Sequence, residues 1–200
     1  NSGGLVSAIL SLSEKLNTEE EGINEKIVWV GTADNIPNDI PKDSLQNEHF
    51  ELHPVFLPAK INDLYYGGFC NDLIWPLFHY FPSRTSYDPD HFEAYQTANN
   101  LFFRKITEII EPGDLIWIHD YQLFLLPGLL RDSFPKAGIG FFLHIPFPSF
   151  EIVRLIPRSW REMILKGMLG SDVVGFHTND YTQHFIKSIK RTLGYKKPSS

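Results

Sequence analysis

The chain has 200 residues, 42% of them hydrophobic and 21% charged, the composition of one ordinary or slightly large globular domain, which excludes a fibrous or largely disordered chain. A formal charge of −6 argues against nucleic acid as a partner. The basic residues Lys187, Lys190, Arg191, Lys196 and Lys197 read as a solvated helix end.

A single cysteine, Cys70, excludes an intrachain disulfide and fits a reducing compartment, so a cytoplasmic location is expected. No apolar run approaches the ~20 residues that a bilayer span needs, and no signal peptide is visible. A membrane is therefore not an expected partner. Position 1 is Asn rather than Met, which leads us to expect a longer parent protein.

Gly3-Gly4 precede LVSAILSLSEKL, where Leu5, Ile9, Leu10 and Leu12 follow a roughly helical period. The acidic run Glu19 to Glu21, closed by Gly22, is a loop. KIVWVG (26–31) predicts a compact buried strand, and a polar connection with Pro37 and Pro41 follows. ELHPVFL (51–57) reads as a second strand, with Pro54 pointing to an edge position. Residues 58–80 predict helix in pieces, broken at Gly67-Gly68 and at Pro76. Residues 88–110 predict a long amphipathic helix, since Phe92, Tyr95, Ala98, Leu101, Phe102 and Ile106 keep a helical spacing.

Pro112-Gly113 end that helix. DLIWIHD (114–120) predicts a strand, and 122–131 a helix interrupted near Pro127-Gly128. A strand over 139–145, helices over 150–156 and 159–169 divided by Pro157, and a strand over 171–176 come next. A last helix over 178–193 has Thr178 as its N-cap and Asp180 in its first turn. The tail, 196–200, is expected to be disordered.

Short strands, apolar on both faces and alternating with helices, imply a doubly wound α/β domain with a mostly parallel sheet covered on both sides. Ligands bind such sheets at the carboxyl ends of the strands. Here those ends are His119-Asp120, His144 and Phe176-His177, so ionisable side chains should gather along one sheet edge. Asp120 can bind sugar hydroxyls, act as a base, or merely cap the next helix. His144 ends an apolar strand, and Pro146 and Pro148 stiffen the loop behind it. A buried, satisfied core histidine is the competing reading. His177 receives no role.

No metal is expected. His49 and His53 have HxxxH spacing, but the second lies in a strand-like run before Pro54, and that spacing joins two imidazoles only on a helix. HExxH is absent. Gly3-Gly4 is a weak phosphate-loop signal without GxGxxG, and GxSxG is absent, which argues against an ordinary α/β hydrolase. Tyr66 and Trp75 belong to an aromatic group with Tyr65, His79 and Tyr80. They could stack on a sugar or simply pack in the core.

In order along the chain, NSGGLVSAI, LYYGGFCNDLIWPLFHY, DLIWIHDYQL, GFFLHIPFPSFEI and DVVGFHTNDYTQHF resemble the N-terminal half of the trehalose-6-phosphate synthase family. The resemblance implies a retaining glycosyltransferase of GT-B type, built of two Rossmann-like domains. It moves glucose from UDP-glucose to glucose 6-phosphate, giving α,α-trehalose 6-phosphate and UDP, and needs no metal or other cofactor. By motif, Gly4 matches the glycine near the donor diphosphate, and Tyr66 and Trp75 match the acceptor-site aromatics. Asp120 matches the aspartate that binds sugar hydroxyls at the reacting centre, and His144 the histidine that contacts the donor glucose.

On this resemblance, 1–195 is the N-terminal, acceptor-side Rossmann-like domain without its first strand, which would leave an exposed sheet edge. The C-terminal donor-binding domain is expected as a partner elsewhere in the parent, and a homo-oligomer is compatible. The family's Ser-Asn-Arg strand end, whose arginine helps bind the acceptor phosphate, has no counterpart here. Gly31-Thr32 stands where the family often has Gly-Trp, and Gln122 where His is common. Two alternatives stay open: a catalytically silent regulatory subunit, or a sister transferase using an acceptor such as glycerol 3-phosphate.

Overall fold

A computed structural model describes residues 27–32, 46–47 and 50–195, with 46, 47 and 50 described by their backbone alone. Gly4, the expected helix over 5–12 and the tail lie outside the described residues. The chain divides into two compact units, Asn1–Leu57 and Pro58–Ser200.

The first unit holds a three-stranded sheet of β1 (Ile27–Thr32), β2 (Gln46–Asn47) and β3 (Phe50–Val55), in the order β1-β3-β2. β1 runs parallel to β3, with Ile27 opposite Phe50 and Thr32 opposite Val55; β2 is antiparallel to β3. Two expectations change. β1 is half-buried rather than buried, with Val28 exposed, because among the described strands it forms a sheet edge. β3 is the central strand in this order, yet β2 pairs only with Phe50 and Glu51. At Pro54 the ladder is therefore one-sided, and a missing N–H costs nothing there.

The second unit opens with one helical run. α1 (Ala59–Asn62) leads into a π-wound stretch, Asp63–Ile74, and then into α2 (Trp75–Phe78). The predicted breaks at Gly67-Gly68 and Pro76 are absent. Pro76 falls in the first turn of α2, where a missing donor is tolerated. Gly68 serves close approach rather than a break: a Cβ there would come within 2.6 Å of the His91 ring. A short 3-10 turn (Pro82–Arg84) precedes the long helix α3 (Pro89–Thr107), whose N-cap Asp88 accepts the Asp90 N–H at 2.9 Å.

A parallel sheet follows, in the order β4-β5-β6: β4 (Leu115–His119), β5 (Gly138–Phe142) and β6 (Val173–Gly175). His119 pairs with Phe142, and Phe142 with Gly175. A 3-10 turn (Tyr121–Leu123) and α4 (Leu126–Ser133) join β4 to β5; α5 (Phe150–Val153) and α6 (Arg158–Met168) join β5 to β6. Pro127 lies in the first turn of α4 rather than interrupting it. β5 stops at Phe142, three residues earlier than its apolar run predicts. The closing helix α7 (Asn179–Leu193) has Thr178 as N-cap and ends on Gly194 at φ 75°, a left-handed position that glycine fills without a Cβ penalty.

The core lies on the face of this sheet that carries Ile118, Ile139 and Phe141, all buried, with Phe124 and Leu130 of the adjoining turn and α4. The opposite face departs from expectation: Leu115 is 85% and Val173 68% exposed. α4 packs on α6 at close range because Gly167 lets it. A Cβ at Gly167 would stand 2.3 Å from the Phe124 carbonyl oxygen, and one at Gly170 2.5 Å from that of Pro127. Arg131 pins the opposite end of the sheet. Its guanidinium donates to the carbonyls of Gly170, Pro135 and Ala137 and to Asp172 Oδ2, and Asp172 Oδ2 also accepts the Ile139 N–H.

Candidate active site

Because β4, β5 and β6 are parallel and in register, their carboxyl ends share one edge. Asp120 follows β4 directly. Its N–H still donates to the Phe142 carbonyl at 2.8 Å, but its backbone turns out of the sheet at φ 72°, ψ 173°. That region is nearly reserved for glycine and costs a side chain of order 1–3 kcal/mol. The strain is held by the carboxylate. Oδ1 accepts the Tyr121 N–H at 3.0 Å and the His144 N–H at 3.2 Å. One oxygen thus caps the following turn and ties down the loop after β5. Oδ2 makes no hydrogen bond among the described residues and is available to a ligand. Burial raises the Asp120 pKa above the ordinary carboxylate value, against the opposing pull of those two N–H groups and of His144 and His177.

His144 lies two residues past the end of β5. Its Nε2 is 3.1 Å from His119 Nδ1, and its ring centroid is 5.8 Å from that of His177. Burial, then the neighbouring His144, lowers the His119 pKa to about 4. Burial also lowers that of His144, although Asp120 pulls it upward. Both rings are therefore neutral at pH 7, and their contact is a hydrogen bond with one imidazole donating and the other accepting. An aspartate oxygen and two neutral imidazoles suit the orienting of sugar hydroxyls.

The aromatics lie beside this edge. The π winding is visible in the Trp75 N–H, which donates to the Cys70 carbonyl five residues back. It advances about 4.4 residues per turn, against 3.6 in an α-helix. Tyr66 and Trp75 are nine residues apart, about two π turns but two and a half α turns, so the winding brings them onto one face. The burial pattern agrees: Tyr66, Gly67, Asn71, Asp72 and Trp75 are exposed, while Tyr65, Phe69, Leu73 and Ile74 are buried. The stripe is joined to the strand ends by Tyr65, whose hydroxyl donates to the Gln122 carbonyl at 3.2 Å. The Tyr121 hydroxyl donates to Asn71 Oδ1 at 3.3 Å. His79 stacks on Trp75 at 4.1 Å between centroids. Tyr80, at φ 66°, accepts the Ser149 N–H on its hydroxyl at 3.0 Å and so links the end of α2 to the loop beyond His144.

Among the described residues, Tyr80 and Asp120 are the two non-glycine residues with positive φ, and both lie here. The structure brings Asp120 and His144 together and sets Tyr66 and Trp75 on the adjoining stripe. Sequence reasoning set His119 on the strand-end edge and Tyr80 in the aromatic group without giving either a role, and it passed over Asn71 and Tyr121. His53 lies 2.7 Å from Glu51 Oε1, and His49 is outside the described residues. Among the described residues, no group of three or more His, Cys, Asp or Glu is arranged to hold a metal ion, and no helix is long and apolar enough to cross a membrane.

A sequence profile of Glycosyltransferase family 20 matches residues 1–200. The chain is 43% identical over 201 residues to an alpha,alpha-trehalose-phosphate synthase [UDP-forming] of Aspergillus fumigatus, covering 97% of this chain and 37% of that protein. An E. coli structure bound with UDP-2-fluoro glucose superposes with a TM-score of 0.83 at 28% identity, covering 100% of this chain and 42% of that one. The alpha,alpha-trehalose-phosphate synthase (UDP-forming) of Burkholderia xenovorans in complex with glucose-6-phosphate gives a TM-score of 0.79 at 26% identity, covering 96% and 40%. Curated relatives that it matches along nearly its whole length are spanned to between 25% and 41% of their own length. An α/β fold with parallel sheets, a strand-end edge set with ionisable side chains and a profile match along its whole length agree: the chain belongs to glycosyltransferase family 20.

Proposed function

We propose that the full-length protein transfers glucose from UDP-glucose to glucose 6-phosphate with retention, releasing UDP and forming α,α-trehalose 6-phosphate. The observation that carries this reading is the convergence of Asp120 and His144 at one sheet edge, beside a stripe presenting Tyr66 and Trp75. Relatives bound with UDP-2-fluoro glucose and with glucose-6-phosphate support both substrates.

In this reading the free oxygen of Asp120 accepts hydroxyls of the sugars at the reacting centre. His144, held by His119 and by the Asp120 carboxylate, hydrogen-bonds the donor glucose. The exposed faces of Tyr66 and Trp75 hold the acceptor. These groups act by positioning and by preorganised hydrogen bonds, which lower the barrier without reorganising at the moment of reaction. Gly4 is assigned to the donor diphosphate on motif alone. The uridine and the diphosphate charge are handled by residues of the full-length protein outside these 200.

The test is UDP release by the full-length protein with glucose 6-phosphate and, separately, with glycerol 3-phosphate, comparing wild type with Asp120→Ala. Turnover with glucose 6-phosphate that Asp120→Ala abolishes supports the reading. Turnover with glycerol 3-phosphate alone assigns a sister transferase, and turnover with neither assigns a regulatory role.

A further inference from the structure

Between Tyr66 and Trp75 the exposed stripe carries a third polar group. Asn71 is five residues after Tyr66 and four before Trp75, about one π turn from each. Gly67, next to Tyr66, has nothing within 4 Å of where a Cβ would stand, so the surface between the aromatics is open. The only hydrogen bond to the Asn71 side chain among the described residues runs from the Tyr121 hydroxyl to Oδ1. Tyr121 is buried, and its hydroxyl meets the amide at the oxygen end and donates to it. That fixes the amide: the oxygen faces Tyr121, and the NH2 group, with two donors and no acceptor capacity, faces outward. Tyr121 is in turn the residue whose N–H is held by Asp120. The orientation of the amide is therefore coupled to the strand-end edge.

We propose that Asn71 is a ligand-binding residue of the acceptor site, its amide NH2 donating to an oxygen of a sugar monophosphate held between Tyr66 and Trp75. This rests on the acceptor reading above and deepens it. An outward amide adds a neutral donor for an anionic or hydroxyl oxygen, at a position where a carboxylate of the same shape would repel a phosphate.

The variant that isolates this is Asn71→Asp. It keeps the shape and an oxygen for the Tyr121 hydroxyl, and replaces the outward donor with an anionic acceptor. Glucose 6-phosphate binding and UDP-glucose binding are measured by calorimetry on the full-length protein. Asn71→Asp should weaken glucose 6-phosphate about ten- to hundredfold, the worth of a hydrogen bond to a charged group, and leave UDP-glucose within about twofold. Tyr121→Phe, which frees the amide without touching the ligand, should give a smaller loss in the same direction. Unchanged glucose 6-phosphate affinity in Asn71→Asp overturns the proposal. So does a parallel loss of both ligands, because the predicted effect is specific to the acceptor. A wild-type protein that binds UDP-glucose but not glucose 6-phosphate overturns the acceptor reading itself, and this proposal with it.

Discussion

Asp120 carries both strain and support, and two substitutions separate them. Asp120→Ala removes the carboxylate that accepts the Tyr121 and His144 N–H groups but leaves a Cβ at φ 72°, ψ 173°. Two charge-assisted hydrogen bonds in a partly solvated setting contribute about 2–4 kcal/mol together, and that is the expected loss of stability. Asp120→Gly loses the same bonds but releases about 1–3 kcal/mol of backbone strain. Against this stands about 0.5–1 kcal/mol for the greater freedom of glycine in the unfolded chain. The glycine variant should therefore be the more stable of the two by about 1 kcal/mol, the reverse of their usual order. Urea denaturation of the purified protein, followed by tryptophan fluorescence with m-values compared, measures the difference. An alanine variant as stable as the glycine variant, or more so, would refute the assignment of strain. Both variants should lack transferase activity, so that stability and function part company at one residue.

Because the His119 pKa is lowered from 6.5 to about 4 on folding, the unfolded chain takes up that proton first. Its contribution therefore costs nothing above pH 6.5 and grows as the pH falls towards 4. The raised pKa of Asp120 works in the opposite sense. After allowance for partial exposure, the His119 loss is about 1–2 kcal/mol, and His119→Phe should flatten the decline of the denaturation midpoint between pH 7 and 4.5. Gly167→Ala should destabilise by more than about 2 kcal/mol, because its Cβ would stand 2.3 Å from the Phe124 carbonyl oxygen, which is backbone and cannot step aside; thermal denaturation reads this directly. The isolated 200-residue chain should form no trehalose 6-phosphate and bind UDP-glucose very weakly, and detectable product from the purified fragment would sink that expectation.

The sheet edge was legible because strand polarity and register are topological. Once 114–120, 139–145 and 171–176 read as strands separated by helices, their carboxyl ends had to align, and His119, Asp120 and His144 with them. The end of β5 was not legible, since Leu143 and Ile145 are as apolar as the ladder before them. Leu143 still donates its N–H to the Gly175 carbonyl at 3.1 Å, although the strand itself ends at Phe142. Apolarity on both faces of β4 and β6 reports what water disfavours, not what lies against it, and Leu115 and Val173 are exposed. That Asp120 caps the next turn through one oxygen and leaves the other without a hydrogen bond among the described residues could not be read from one letter, because it depends on the backbone turn after β4. Gly67-Gly68 misled most. Glycine lowers α propensity, so the pair read as a break. The helix continues there in a wider winding, with Gly68 kept small by His91.

That wider winding makes the number of residues between Tyr66 and Trp75 matter as much as their identity. Each residue there turns the helix by roughly a quarter of a circle. A substitution at Gly67 meets open space, but removing Gly67 would swing Trp75 off the face it shares with Tyr66. Gly67 should thus accept replacement but not deletion. Spacing and side chains together set the two aromatic rings on one face of the helix.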